Sequence, residues 1–183
     1  ITAGAITAGT GDVTVTAGAA GATGTLELDT IAGANVTIDA SDVLGTSTYN
    51  GTVTVSESLD FTGVDLSANE IAAATDGTDD ISLTFTGGIG ADAFTVASGT
   101  GATGDLTISV TGGIGSNTLT LDATNAAINV TSLTLTDTNL EIDDTTNTIT
   151  VAAAAVDGAE FEIEGVTAND VLTVEGTTSA DTI

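Results

Sequence analysis

Asp80-Ile81-Ser82-Leu83-Thr84-Phe85-Thr86-Gly87-Gly88-Ile89-Gly90 returns 25 residues later as Asp105-Leu106-Thr107-Ile108-Ser109-Val110-Thr111-Gly112-Gly113-Ile114-Gly115. Each copy then runs into a second alternating stretch, Phe94 to Val96 and Leu119 to Leu121. Strict alternation of apolar with Ser or Thr marks a strand with one dry and one wet face. Two strands and two turns per repeat make one coil of a solenoid. Stacking such coils places like side chains about 4.8 Å apart up each face. A duplicated hairpin inside a sandwich accounts for the same repeat. The fold class is therefore all-β, with a parallel β-solenoid favoured and a β-sandwich as the alternative.

The same alternation runs outward in both directions. It is clear at Val13 to Val15, Leu26 to Leu28, Val36 to Ile38 and Val53 to Val55, and again at Leu133 to Leu135, Leu140 to Ile142, Ile149 to Val151, Phe161 to Ile163 and Leu172 to Val174. Two places break it. Ser67 to Ala74 reads as a short helical turn, with Ser67 as cap and Glu70 closing a capping box. Ala152 to Ala155 fits either a tightly packed strand or one helical turn. The first break suggests a boundary near residue 75. It divides a Thr/Gly-rich β-domain, 1–75, from a solenoid-like domain, 76–183, with both belonging to a larger chain.

Composition sharpens this reading. Of 183 residues, 41% are hydrophobic but only 3% aromatic, so the core is built from aliphatic side chains. β-Branched Val, Ile and Thr favour extended chain, and 23 Gly supply turns. There is no Lys, Arg, His, Cys, Met, Trp or Pro, and the formal charge is −26. Such a chain repels itself when compact, and relief must come from salt, protonation or bound cations. Its hydropathy argues against a disordered acidic chain. With nothing to neutralise phosphate, nucleic acid is excluded as a partner. No apolar run is long enough for a membrane span. The absence of Cys means there is no disulfide framework.

Catalysis is nearly closed by the same inventory. No His, Cys or Lys is present to act as base or nucleophile. Carboxylate pairs such as Asp79 with Asp80, or Asp143 with Asp144, lack the aromatic platforms that glycoside sites use. The chain is read as no enzyme. Hard cations, by contrast, want six to eight oxygens from carboxylates, carbonyls and water. The 26 Asp and Glu and the flexible glycine turns offer these. No soft ligand is present for zinc or copper.

The sharpest signal is Gly87-Gly88-Ile89-Gly90-Ala91-Asp92-Ala93-Phe94. It resembles the glycine-rich nonapeptide of RTX proteins, whose parallel β-rolls bind calcium. The resemblance implies that Gly87, Gly88 and Gly90 supply carbonyls, Asp92 a carboxylate, and Phe94 the first core residue of the next strand. In the second copy Gly112, Gly113 and Gly115 form the turn, and Asn117 stands where Asp is usual. Asp80 and Asp105, which open the two copies, join the candidate calcium ligands. Asn169-Asp170-Val171-Leu172 and Ser179 to Ile183 look like looser fragments of the motif. True RTX rolls string nonapeptides end to end, whereas these stand 25 residues apart. The remaining Thr/Ala/Gly-rich body is similar to bacterial surface-layer proteins and large secreted adhesins.

Other features are less specific. Glu160, Glu162 and Glu164 share one strand face, and Asp137, Glu141, Asp143 and Asp144 form a second acidic group. Thr-x-Thr pairs at Thr14, Thr84, Thr118 and Thr134 invite comparison with ice-binding ladders, but Thr is also the ordinary polar residue of a wet strand face. Sequons at Asn35, Asn50 and Asn129 occur at the chance level for this composition. The expectation is an extracellular cell-surface protein that self-associates into a layer or filament, stabilised by calcium at its Gly/Asp turns. A repeat module of a secreted adhesin is the alternative. An anchor to cell-surface polysaccharide would lie elsewhere in the full chain.

Overall fold

A computed structural model describes residues 2–18, 25–63, 70–75, 79–99, 102–143, 147–152, 163–165 and 172–175. Among these, every regular element is a strand. In chain order they are β1 (Thr2–Ala3), β2 (Ile6–Thr7), β3 (Val13–Thr16), β4 (Leu26–Leu28), β5 (Ile31–Asp39), β6 (Ser47–Tyr49), β7 (Thr52–Thr62), β8 (Glu70–Thr75) and β9 (Ile81–Thr86). They continue as β10 (Ala93–Ser98), β11 (Leu106–Thr111), β12 (Asn117–Asp122), β13 (Ile128–Thr136), β14 (Thr138–Asp143), β15 (Ile149–Ala152), β16 (Ile163–Gly165) and β17 (Leu172–Glu175).

Every strand pairing is parallel, and neighbours in space are one coil apart in sequence. The chain is thus a parallel β-solenoid, and the sandwich alternative is set aside. One long face runs through β3, β5, β7, β9, β11, β13, β15 and β17. The opposite face runs through β8, β10, β12, β14 and β16. β7 belongs to both. Its first half pairs with β8 and its second half with β9, and the two halves meet where the register against β5 shifts, between Val55 and Ser58. Strand pairing is therefore continuous on either side of residue 75. In the first coils a third, short sheet of β1, β4 and β6 closes the cross-section.

The period-two pattern becomes a core because each inward residue stacks on its counterpart in the next coil. Val13, Val36, Leu59, Leu83, Ile108 and Leu133 form one such column, and Phe94, Leu119 and Leu140 form another across from it. All of these are buried. Ile38, Phe61, Phe85, Val110 and Leu135 make a third column. A coil cannot bury its inner face alone, so the stability of a solenoid comes from neighbour-on-neighbour stacking.

The expected helical turn at Ser67 to Ala74 is corrected. Residues 70–75 are strand β8, while 67–69 lie outside the described residues. The good helix propensity of Ala is overridden by register. Ala73 lies between Val53 and Val96 in the stack, where a small side chain fills the space and the strand hydrogen-bonds on both sides. Ala152 ends β15, and 153–155 lie outside the described residues.

Four aromatic rings fill the centre. Phe85 and Phe94 have centroids 5.2 Å apart, Phe61 lies 6.2–6.5 Å from both, and Tyr49 meets Phe61 edge-on at 5.2 Å. Burial pushes the Tyr49 phenol up to about 12, with the Ser47 side chain opposing part of that rise. As Tyr49 is the one tyrosine, phenolate absorbance reports it alone. We expect a midpoint near 12 in the folded protein, against about 10 once it is unfolded. The raised value means that folding favours the neutral phenol. Its contribution is therefore intact below pH 10 and is lost as pH climbs through 12. A folded-state midpoint near 10 would place the phenol in water.

Candidate functional site

Among the described residues the third sheet ends at β6. Where β6 stood, the next described coil carries the turn Gly87–Asp92, the one after it Gly112–Ser116, and the one after that Asp137 alone. These corner segments stack. Gly87 N–H donates to the Thr111 carbonyl (2.8 Å), Ile114 N–H to Gly88 (3.0 Å) and Gly90 N–H to Ile114 (2.7 Å). Among the described residues a single isolated bridge, Ile89 to Ile114, joins these corners.

Glycine is required here by close approach. A Cβ on Gly112 would meet the Asn117 side chain, and one on Gly87 would meet the Asp92 carboxylate. Gly115 combines φ 149° with a position directly above Gly90, so that a Cβ would collide with the Gly90 carbonyl. The glycines let each turn fold over the polar side chain that closes it.

Those polar side chains form an inward column. Asp92, Asn117 and Thr138 occupy equivalent positions, since Ala93 pairs with Thr118, and Asn117 with Thr138. Asp92 is 1% exposed and Asn117 2%. The Asp92 carboxylate accepts the Gly88 N–H at 3.1 Å, and the Asp92 N–H donates to Asn117 Oδ1 at 3.0 Å. Asn117 Nδ2 donates to three carbonyls, those of Asp137 (2.8 Å), Gly113 (3.3 Å) and Gly115 (3.5 Å). Asp137 presents its carbonyl from a left-handed backbone, φ 51°. Thr138 Oγ1 turns back to the Thr136 carbonyl at 3.0 Å.

Buried carbonyls need a donor or a cation. The Asn117 amide is such a donor, set among oxygens of the kind that hard cations use. Because the following corner is Asp137 alone, the second turn borders an open notch of about 700 Å³ between Gly113–Asn117 and Leu135–Asn139. Ile114, 71% exposed, stands at this notch, with Ile89, 48% exposed, on the turn below.

Asp80 and Asp105 lie elsewhere. They stack at the opposite end of β9 and β11, about 20 Å along the strand from the glycine turns. The Asp105 N–H donates to Asp80 Oδ1 at 3.2 Å, and Asn129 Nδ2 donates to Asp105 Oδ1 at 2.6 Å. The ten expected ligands therefore divide between two corners. Among the described residues no three acidic side chains converge as a metal site. Residues 160, 162, 169–170 and 179–183 lie outside the described residues.

Asn residues repeatedly do the work that Lys or Arg would do. Asn35 Nδ2 donates to both Asp12 Oδ1 and Glu57 Oε2 at 2.9 Å, while its own oxygen accepts from Ser58 at 2.7 Å. Asn147 Nδ2 donates to the Ala123 carbonyl at 2.8 Å and the Thr124 carbonyl at 3.2 Å. Sequence reasoning treated Asn35 and Asn129 as chance sequons. Aligning the chain by coil length would have found them, because each falls above an acidic residue one coil earlier. No family model matches the sequence, no curated protein matches it, and no solved structure matches it.

Proposed function

We propose that the chain is a non-enzymatic structural module of a microbial cell-surface protein, which self-assembles into a layer or filament with calcium as the counter-ion. One observation carries this reading: a parallel stack of coils, strand on strand through the described residues, in a chain with 26 Asp and Glu and no cationic side chain. Coil-on-coil stacking makes a strut whose length grows with repeat number. Its charge opposes any second copy until cations screen or bridge it. Calcium suits an oxygen-only ligand set of carboxylates and turn carbonyls. The glycine-turn corner supplies both kinds, at Asp92 and around Asn117.

A second reading, a repeat module of a secreted adhesin, is favoured by the exposed Ile89 and Ile114 at and below the notch. One experiment separates the two. Calcium is titrated into metal-stripped protein while circular dichroism and light scattering are followed, with NaCl at matched ionic strength as control. Assembly at micromolar to millimolar calcium, absent in NaCl, is the expected result. A folded monomer at every calcium level would overturn the assembly reading and leave the adhesin module.

A further inference from the structure

Not all of the surface is acidic. On β9, β11 and β13 the outward positions from Ser82 to Thr86, Thr107 to Thr111 and Ser132 to Thr136 are all Ser or Thr. Parallel register aligns them in rows, such as Thr84, Ser109 and Thr134, and Thr86, Thr111 and Thr136. The field ends one coil earlier, where Asp60 takes the place in the Thr84 row. On the opposite face carboxylates appear on β12 and β14, where Asp122 pairs beside Asp143 and Thr120 lies beside Glu141. The outward residues Ala72, Ala74, Ala93, Thr95 and Ala97 of β8 and β10 are uncharged but mostly without a hydroxyl.

We infer that this hydroxyl field on β9, β11 and β13 is the surface through which one copy of the chain meets another. The inference rests on the assembly reading. With 26 carboxylates and no cation, two copies repel wherever their acidic surfaces face. The field is free of carboxylates, so a second copy approaches it at low electrostatic cost, and unlike the Ala-bearing β10 it carries a hydroxyl at every outward position. Hydroxyls suit self-recognition because each is both donor and acceptor. Two identical grids, with rows about 4.8 Å apart, are commensurate by construction. The field spans roughly 14 Å by 18 Å, about 250 Å² per copy. That is well under the roughly 800 Å² per partner of a stable interface. A single contact is accordingly weak and gains strength only when repeated along an array. This matches an assembling module better than a discrete dimer.

The test places a charge in the field and its equivalent on the other face. Calcium-driven scattering is measured for the parent chain, Ser109→Asp and Thr95→Asp, with circular dichroism confirming that each is folded. Ser109→Asp should raise the calcium needed for half-maximal assembly about tenfold or more, and Thr95→Asp should leave it nearly unchanged. Because the chain has no cysteine, Ser109→Cys and Thr95→Cys with a short bis-maleimide give a second readout. Crosslinked dimer should form at Ser109→Cys and not at Thr95→Cys. Assembly equally sensitive at both positions, or crosslinking favouring Thr95→Cys, would overturn the inference and leave calcium-dependent assembly standing. A parent chain that never assembles would overturn both.

Discussion

Phe85→Ala is expected to destabilise the solenoid by about 3–5 kcal/mol, the scale of emptying a fully buried ring from the core. Phe85 is fully buried and stacks on Phe61 in the coil below, while Phe94 reaches it from the opposite face. Its removal takes away the transfer free energy of the ring and leaves a cavity between layers that cannot collapse, because each coil is pinned by backbone pairing on both sides. It also strips an aromatic contact from Phe61 and Phe94, worth about 0.5–1.5 kcal/mol beyond area. In a nearest-neighbour array a weakened interface uncouples the blocks on either side. Chemical denaturation should therefore show a lower midpoint and a broader or split transition. Val55→Ala, equally buried but aliphatic and outside the aromatic cluster, is the reference, with an expected loss of about half that size. Equal losses at the two positions would mean that the cluster has no special role.

The inward residues of this core were legible because alternation is a local property. Every alternating run from Val13 to Val174 falls within a strand wherever it lies in the described residues. Direction of pairing is not local, and only the duplicated Asp80–Gly90 stretch pointed to stacked coils. The Ala-rich stretch at 70–75 was misread because helix propensity is also local, whereas the Val53 and Val96 neighbours that make it a strand lie about one coil away in either direction. The site was legible in its glycines and in Asp92 and Asn117, whose equivalence the repeat implied. Its third member was not. Thr138 aligns with Asn117 only once the corner is known to shrink from Gly112–Ser116 to Asp137, and a deletion breaks the period by which sequence alignment works. The polar roles of Asn35 and Asn129 were hidden for the same reason. A side chain bridging two coils is visible only when coil length, which varies along this chain, has been fixed.

Asn117→Asp exchanges one nitrogen for oxygen and should cost about 3–5 kcal/mol in chelator at neutral pH, the scale of an uncompensated buried charge. The amide donates to the carbonyls of Asp137, Gly113 and Gly115. A carboxylate in its place turns an oxygen toward those oxygens, 2% exposed to solvent and with no basic residue anywhere in the chain to offset it. Two routes relieve the conflict, and they are separable. Protonation restores a donor, so the charged form is disfavoured in the folded state. The penalty is then present at neutral pH and shrinks as pH falls into the carboxylate range. Calcium offers the other route, since the new carboxylate, three carbonyls and water from the adjoining notch approach the six to eight oxygens that it takes. Binding to the folded state alone would return about 2.7 kcal/mol at a hundredfold excess over Kd. Thermal melts of Asn117→Asp at neutral pH should therefore rise steeply with calcium and little with matched NaCl. Asn117→Ala, which lacks the carboxylate but loses the same amide, should gain far less. If calcium raises both variants equally, the ion acts by screening the chain at large. If it raises Asn117→Asp alone, the glycine turn is a cation seat that Asn117 fills with its own amide, and Asp92, one coil below, becomes the position at which the native chain would take calcium.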